Sequence, residues 1–175
     1  MTAVVIVGAP GAGKSSTVEA LSDLLAEGGT QHGALELEQL SWGHPWLPFA
    51  ETIPQLEGVI AAQRMLGREL FLITATTETD EELERLVAAL EPSPVLVVAL
   101  RARPGTVAER ILRREPEHWS GRDKLAAHAE RLAVNIPSLR RVDVIVDSDD
   151  REPMEVARSI HAHLADHGLR RDGRD

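Results

Sequence analysis

Five apolar runs mark the chain at intervals: Ala3–Val7, Ala34–Glu38, Glu69–Thr74, Val95–Leu100 and Asp143–Asp147. Ala3-Val4-Val5-Ile6-Val7 is continuous and β-branched, as expected of a strand covered on both faces. Between the runs, apolar residues recur at helical spacing. Val18, Leu21, Leu24 and Leu25 form one stripe, closed by Gly28-Gly29. Leu56, Val59, Ile60 and Leu66 form another, with Gln63 among them and Pro54 at the expected first helical position. Leu83, Leu86, Val87 and Leu90 follow Thr79-Asp80-Glu81-Glu82, which reads as a capping box. Thr106-Val107-Ala108-Glu109 reads as a second box. Leu125, Ala129, Leu132, Ala133 and Ile136 make the next stripe, and Val156, Ile160 and Leu164, opened by Pro153, the last. Strands alternating with helices predict an α/β fold, a parallel sheet with helices on both faces.

Two stretches interrupt the alternation. Gln39–Thr52 holds Trp42, His44, Trp46 and Phe49 among Gly43, Pro45 and Pro48, in a chain only 3% aromatic. Arg113–Asp123 is polar and charged, with Pro116 ending the preceding helix and Gly121 marking the next turn.

Between the first strand and the first helix stands Gly8-Ala9-Pro10-Gly11-Ala12-Gly13-Lys14-Ser15, the pattern G-x-x-x-x-G-K-[ST]. Its glycines let the backbone curl so that N–H groups point inward at phosphate oxygens. Lys14 reaches the β/γ phosphates, the Ser15 hydroxyl ligates Mg²⁺, and the helix that follows, with Ser16 in its first turn, turns its positive end to the anion. Strand, loop and helix are all present, which is the context that the motif requires. The chain has only two lysines, Lys14 and Lys124, among 19 basic residues, so a lysine at this position is not an accident of composition.

Composition narrows the setting. A length of 175 residues suits one domain with a proper core. No apolar run is long enough for a membrane helix, and no basic leader precedes the first strand. Zero cysteines exclude disulfides and thiolate metal sites. A cytoplasmic protein is expected. A net charge of −9 argues against nucleic-acid or anionic-membrane partners. His163 and His167 share a metal-ligand spacing, but at a helix end histidine is ordinary. No Asn-Lys-x-Asp guanine-reading motif is possible with lysines only at 14 and 124, so a regulatory GTPase is disfavoured.

Arg101, Arg103, Arg110, Arg113, Arg114 and Arg122 cluster after the fourth strand, whose C-terminal end faces the same crevice as the loop. Phosphoryl transfer needs cations over the migrating group and exclusion of water. With the loop at Gly8–Ser15 and this cluster, the chain resembles the nucleoside-monophosphate-kinase-like branch of P-loop kinases, which includes adenylate, shikimate and gluconate kinases and chloramphenicol phosphotransferase. The resemblance implies a three-layer α/β/α sandwich with a five-stranded parallel sheet ordered 2-3-1-4-5. It implies a lid over 113–123, Arg110 stacked on adenine, Arg114 or Arg122 on phosphates, and the loop Ser148–Pro153 bordering the base. Solvated pairing of these arginines with Glu109, Glu115 and Glu117 is the alternative.

On the acceptor side, Glu36 and Glu38 stand two apart on the second strand, hence on one face. Glu36-Leu37-Glu38 resembles the D-x-D of shikimate kinases, whose acids handle Mg²⁺-bound water and the acceptor hydroxyl. Glu38 is the candidate general base and Glu36 a candidate metal partner; the alternative is a half-exposed sheet edge. Trp42, His44 and Trp46 either line the acceptor pocket or plug an irregular loop, and Arg64 and Arg68 are candidates for an anionic acceptor. The third strand ends Phe71-Leu72-Ile73-Thr74-Ala75-Thr76-Thr77-Glu78, with no acid directly after its apolar run. Thr74 or Thr76 acting through water, or Glu36/Glu38, would have to replace that Mg²⁺-holding acid. Val144-Ile145-Val146-Asp147 mimics the pattern, but as a fifth strand it is expected at the sheet edge.

The resulting expectation is one domain over 1–165, with 39–67 binding the acceptor and a polar tail over 166–175. Its function would be ATP- and Mg²⁺-dependent transfer of the γ-phosphoryl group to a small-molecule hydroxyl or phosphate. A nucleotide-binding regulatory module and a slow NTPase are the competing expectations. Neither the acceptor nor the oligomeric state is readable.

Overall fold

A computed structural model of the chain describes residues 2–166; the expected tail, apart from Asp166, and His167 lie outside the described residues. Five strands form one parallel sheet in the order β2-β3-β1-β4-β5: β1 Thr2–Val7, β2 His32–Glu36, β3 Leu70–Ala75, β4 Val95–Arg101 and β5 Val144–Asp147. The helices are α1 Lys14–Glu27, α2 Phe49–Met65, α3 Asp80–Ala88, α4 Pro104–Arg114, α5 Arg122–Asn135 and α6 Pro153–Asp166. They cover both faces of the sheet in a three-layer α/β/α sandwich, with α1 packed against α6 and α4 against α5. The sequence-based fold is the one observed.

Burial follows strand position. All six residues of β3 are buried, as are Ala3–Val7 and Leu96–Leu100 of the neighbouring strands. Edge strands β2 and β5 each bury one residue, Gly33 and Val146, and leave the others half-buried or exposed. A continuous apolar run therefore marks a strand with helices on both sides, and a mixed run marks an edge.

Several boundaries differ from expectation. β2 starts at His32, whose ring bonds the Ser22 hydroxyl at 2.7 Å and the Thr30 carbonyl at 2.9 Å. It ends at Glu36, opposite Thr74, not at Glu38. Leu37 then turns into the core as a 3₁₀ helix, Leu37–Ser41, forms, with the Ser41 hydroxyl donating to the Glu38 carbonyl at 2.8 Å. Glu36 and Glu38 are therefore not same-face residues of one strand. α2 begins at Phe49 after Pro48, so Pro54 lies inside the helix, where it is exposed and its missing N–H removes one intrahelical bond. α4 begins at Pro104 with Arg103 as cap residue, so Thr106 lies in the first turn and caps nothing. At α3 the box forms in shifted form: the Thr79 hydroxyl accepts from the Glu82 N–H at 3.2 Å, and the Glu82 carboxylate accepts from the Glu78 N–H at 2.7 Å.

Candidate active site

The crevice at the C-terminal end of the sheet holds a cavity of about 660 Å³. Residues 9–17 wall one side of it; Glu36, Glu38, Trp46, Thr74 and Thr76 wall another, and Arg110, Arg114, Ser148, Arg151 and Pro153 also line it. The loop Gly8–Ser15 connects β1 to α1 along a path only glycine permits at two points. Gly11 has φ +84°, and a Cβ there would sit 2.8 Å from the Val107 carbonyl oxygen of α4. Gly13, at φ +93°, precedes α1. The first intrahelical bond joins the Thr17 N–H to the Gly13 carbonyl at 3.0 Å. The N–H groups of Gly13, Lys14, Ser15 and Ser16 are thus the donors a helix start leaves for an anion.

The Lys14 ammonium donates to the Gly8 carbonyl at 2.9 Å and to the Thr76 hydroxyl at 2.9 Å. Burial pushes its pKa down from the usual lysine value; the charges of Glu38 and Glu36 oppose that shift, and Arg114 adds to it. These influences place both carboxylates and the Arg114 guanidinium electrostatically close to one ammonium.

Glu38 reaches across to the end of β3, where its Oε1 accepts from the Thr76 N–H at 2.6 Å. A carboxylate from the turn after β2 thus stands beside the end of β3, where the third-strand sequence carries no acid. Glu36, Glu38 and the Ser15 hydroxyl face one cavity, a set of hard oxygen donors of the kind Mg²⁺ takes. Among the described residues no cluster of three or more His, Cys, Asp or Glu side chains is placed to hold a metal alone. A Mg²⁺ ion here would therefore draw most of its ligands from phosphates and water.

The arginines separate into two groups. Arg110 donates to the Gly11 carbonyl at 3.0 Å and to that of Ser148 at 3.4 Å, and it lines the cavity with Arg114. Arg114 also pairs with Glu115 at 2.6 Å. Arg122 instead donates to the Leu112 carbonyl at the end of α4, outside the cavity wall. Arg101 pairs with Asp147, and Arg103 with Asp149 and Asp150, beyond the crevice. Asp147 is thus held at the sheet edge by Arg101, as its edge position predicts. The Arg64 guanidinium bonds the Ser93 hydroxyl ahead of β4, and Arg68 donates to Gln63, so both sit at the end of the sheet opposite the loop and serve no acceptor there.

Of the aromatic segment, only Trp46 lines the cavity; Trp42 is 81% exposed and His44 is also exposed. Ser148 stands in the wall within the loop expected to border the base, and three further wall residues escape sequence reasoning. The buried Ser148 hydroxyl donates to the Ala12 carbonyl at 2.8 Å, tying the loop after β5 to the phosphate loop. Ser41, Thr52 and Glu78 wall a smaller cavity beyond Glu38. Of these, only Glu78 carried a readable signal, as an acid just past the third strand.

A parallel 2-3-1-4-5 sheet with a G-x-x-x-x-G-K-[ST] loop at the end of β1 defines a P-loop nucleotide-binding fold. Within that class it is the three-layer fold of the shikimate- and nucleoside-monophosphate-kinase-like branch. No protein-family model matches the chain, and no curated protein matches it in sequence. Solved structures do. The APS kinase of Mycobacterium tuberculosis, in complex with AMPPNP and APS, aligns with TM-score 0.68 at 21% identity over 93% of this chain and 96% of that one. A gluconokinase from Sinorhizobium meliloti aligns with TM-score 0.65 at 19% identity over 94% of each chain. The shikimate kinase of Acinetobacter baumannii, in complex with shikimate, gives 0.62 at 14% over 96% and 95%. At these identities the likeness is one of fold. No helix among the described residues is long and apolar enough to cross a membrane.

Proposed function

We propose that the protein is an ATP- and Mg²⁺-dependent kinase that transfers the γ-phosphoryl group to a small-molecule hydroxyl or phosphate. One observation carries the reading. Lys14, which the motif assigns to the β/γ phosphates, bonds Thr76, and the Thr76 N–H is held by Glu38 at the acceptor side. Phosphate-binding and acceptor-facing groups thus meet at one point of one cavity, as transfer in line requires.

Loop N–H groups and the Lys14 ammonium would bind the β/γ phosphates. The Ser15 hydroxyl, with Glu36 nearby, would hold Mg²⁺, which would supply positive charge against that of the phosphates. An incoming polyphosphate would also offset the cost of burying Lys14. Arg114 would stabilise charge on the migrating group, and Arg110, beside Ser148, would face the nucleoside. Glu38 would orient the acceptor and take its proton. Of the segment 39–67, the stretch from Ser41 to Thr52 would form the acceptor side, and 113–123 a lid that shuts out water. Arg122, bonded to the end of α4, would act in that lid as an anchor between α4 and α5.

The absence of an acid directly after β3 favours a second reading, a nucleotide-binding module or slow NTPase with no acceptor. ADP formation from ATP and Mg²⁺, measured against pooled nucleotides, sugars, hydroxy acids and antibiotics, separates them. A pool that accelerates ADP formation by the wild type but not by Lys14→Ala supports the kinase. ATP binding with no pool accelerating its loss moves the second reading ahead.

A further inference from the structure

Beyond Glu38 the main cavity adjoins a smaller one of about 170 Å³, and the two share Glu38, Trp46 and Thr76. This second space lies on the side of Glu38 away from the phosphate loop, where a phosphoryl acceptor would sit. Its charges differ from those of its neighbour. Lys14, Arg110, Arg114 and Arg151 line the main cavity together with Glu36 and Glu38, whereas Glu38, Glu78 and Glu82 line the small one and no Lys, Arg or His does so among the described residues. Behind it, His128 Nε2 lies 2.9 Å from the Glu78 carboxylate, and Arg131 bonds His128 Nδ1 at 3.0 Å. Arginine can only donate, so in this arrangement Nδ1 accepts and Nε2–H donates to the Glu78 carboxylate. Ser41 and Thr52, both buried in this wall, turn their hydroxyl protons to the Glu38 and Phe49 carbonyls, so toward a ligand they offer acceptor lone pairs. Trp46, 61% exposed, lines both cavities and brings to them an indole, a side chain suited to a cation.

We infer that the acceptor is a hydroxyl compound bearing an amino or other cationic group, and that carboxylates and phosphate esters are excluded from this pocket. The inference rests on the kinase reading for the word acceptor and on the charge of the wall for the rest. A phosphate or carboxylate placed here would meet three carboxylates and no compensating cation. An ammonium would meet three acceptors and an aromatic face. In the transfer, the acceptor oxygen forms a bond to the γ-phosphorus, and the bond from that phosphorus to the β–γ bridging oxygen breaks. The electron pair of the broken bond leaves with ADP, and the hydroxyl proton passes to the Glu38 carboxylate. The small volume favours one compact ring or chain over a nucleotide, so the hydroxyl arm of the proposed activity is the one this pocket selects.

Matched triads test this: glucosamine, glucose and glucuronate, and the amine, neutral and carboxylate members of short linear polyols. ADP release is measured with ATP and Mg²⁺. Binding of the same compounds is measured calorimetrically in the presence of a non-hydrolysable ATP analogue. Amine members are expected to bind at least about tenfold more tightly than carboxylate members, equivalent to about 1.4 kcal/mol. In the double variant Glu78→Gln, Glu82→Gln the preference should shrink to within about threefold, with affinity for the ATP analogue unchanged and a melting curve confirming the fold. Glutamine at 82 keeps the oxygen that accepts from the Glu78 N–H. Carboxylate members that bind or react as well as amines overturn the inference while leaving the kinase standing. So does binding without preference, or no binding by any member. Amine members that bind selectively while nothing accelerates ADP release uphold the pocket's charge and sink the kinase reading instead.

Discussion

The two ends of the cavity are built differently. Its phosphate end is mostly backbone: one continuous loop, turned by Gly11 and Gly13, presents N–H groups whose direction is set by where β1 stops and α1 starts. The end proposed for the acceptor is mostly side chains from three separated segments, with Glu38 and Ser41 from the turn after β2, Trp46 and Thr52 from the stretch into α2, and Glu78 and Glu82 from the start of α3. A backbone site tolerates changes of side chain and not of φ. A side-chain site changes its ligand with single substitutions while the fold persists. One fold can therefore keep its phosphate chemistry while its acceptor varies.

The largest effect should come from Lys14→Ala, the side chain that the motif assigns to the β/γ phosphates. A fall of about 10³-fold or more in kcat/KM for ATP is expected, since its donor charge acts where charge develops. Far-UV circular dichroism should be unchanged, because alanine at this first helical position keeps the bond from the Thr17 N–H to the Gly13 carbonyl that starts α1. Activity equal to wild type would remove the mechanism. Next comes Glu38→Gln, which keeps an oxygen for the Thr76 N–H but cannot take a proton. A loss of about 10²-fold in kcat with little change in KM for ATP marks a proton acceptor. An unchanged kcat would leave Glu38 only a positioning residue for the end of β3. Gly11→Ala probes the backbone end directly. An added Cβ, 2.8 Å from the Val107 carbonyl and at positive φ, should cost about 1–2 kcal/mol in urea unfolding and weaken binding of an ATP analogue about tenfold. Full affinity would mean that the loop reshapes freely.

The same contrast explains what the sequence revealed. Gly8–Ser15 is legible because its parts are contiguous and each residue type answers to a local conformation. Strands β1, β3 and β4 are legible because both faces are buried, so their apolar runs are unbroken. The acceptor end is not, because no local rule brings residue 38 beside residue 76. That contact depends on β2 stopping at Glu36, and β2 stops there because Leu37 turns into the core, which apolar character alone did not predict. Arginine was over-read for a related reason. Density of charge in sequence says nothing about direction, and of six clustered arginines the fold turns Arg110 and Arg114 into the cavity, leaves Arg113 exposed outside its wall, and has Arg101, Arg103 and Arg122 bond groups outside it. The Thr79 box was legible as a helix start, yet its Glu82 also lines the smaller cavity.

The smallest expected effect concerns the scaffold of that wall. Asp80, in the first turn of α3 beside Glu78 and Glu82, accepts the Arg140 N–H at 2.7 Å and its Nε at 3.0 Å. The bond from the Arg140 backbone, aided by that guanidinium, holds its carboxyl pKa below the ordinary aspartate value. A depressed carboxylate pKa means that the unfolded chain takes up the proton first. The stabilisation is therefore complete above the unfolded pKa, near 3.9, and is lost as pH falls through the lower folded value. Asp80→Asn should lower the melting temperature slightly at pH 7, and its difference from wild type should shrink as the pH is brought down towards 3. If α3 is only a scaffold for the acceptor end, the variant should raise the KM for the acceptor and leave the affinity for an ATP analogue unchanged. An equal loss at both ends would show that the start of α3 also supports the phosphate loop, through Thr76 and Lys14, and would dissolve the division between the two halves.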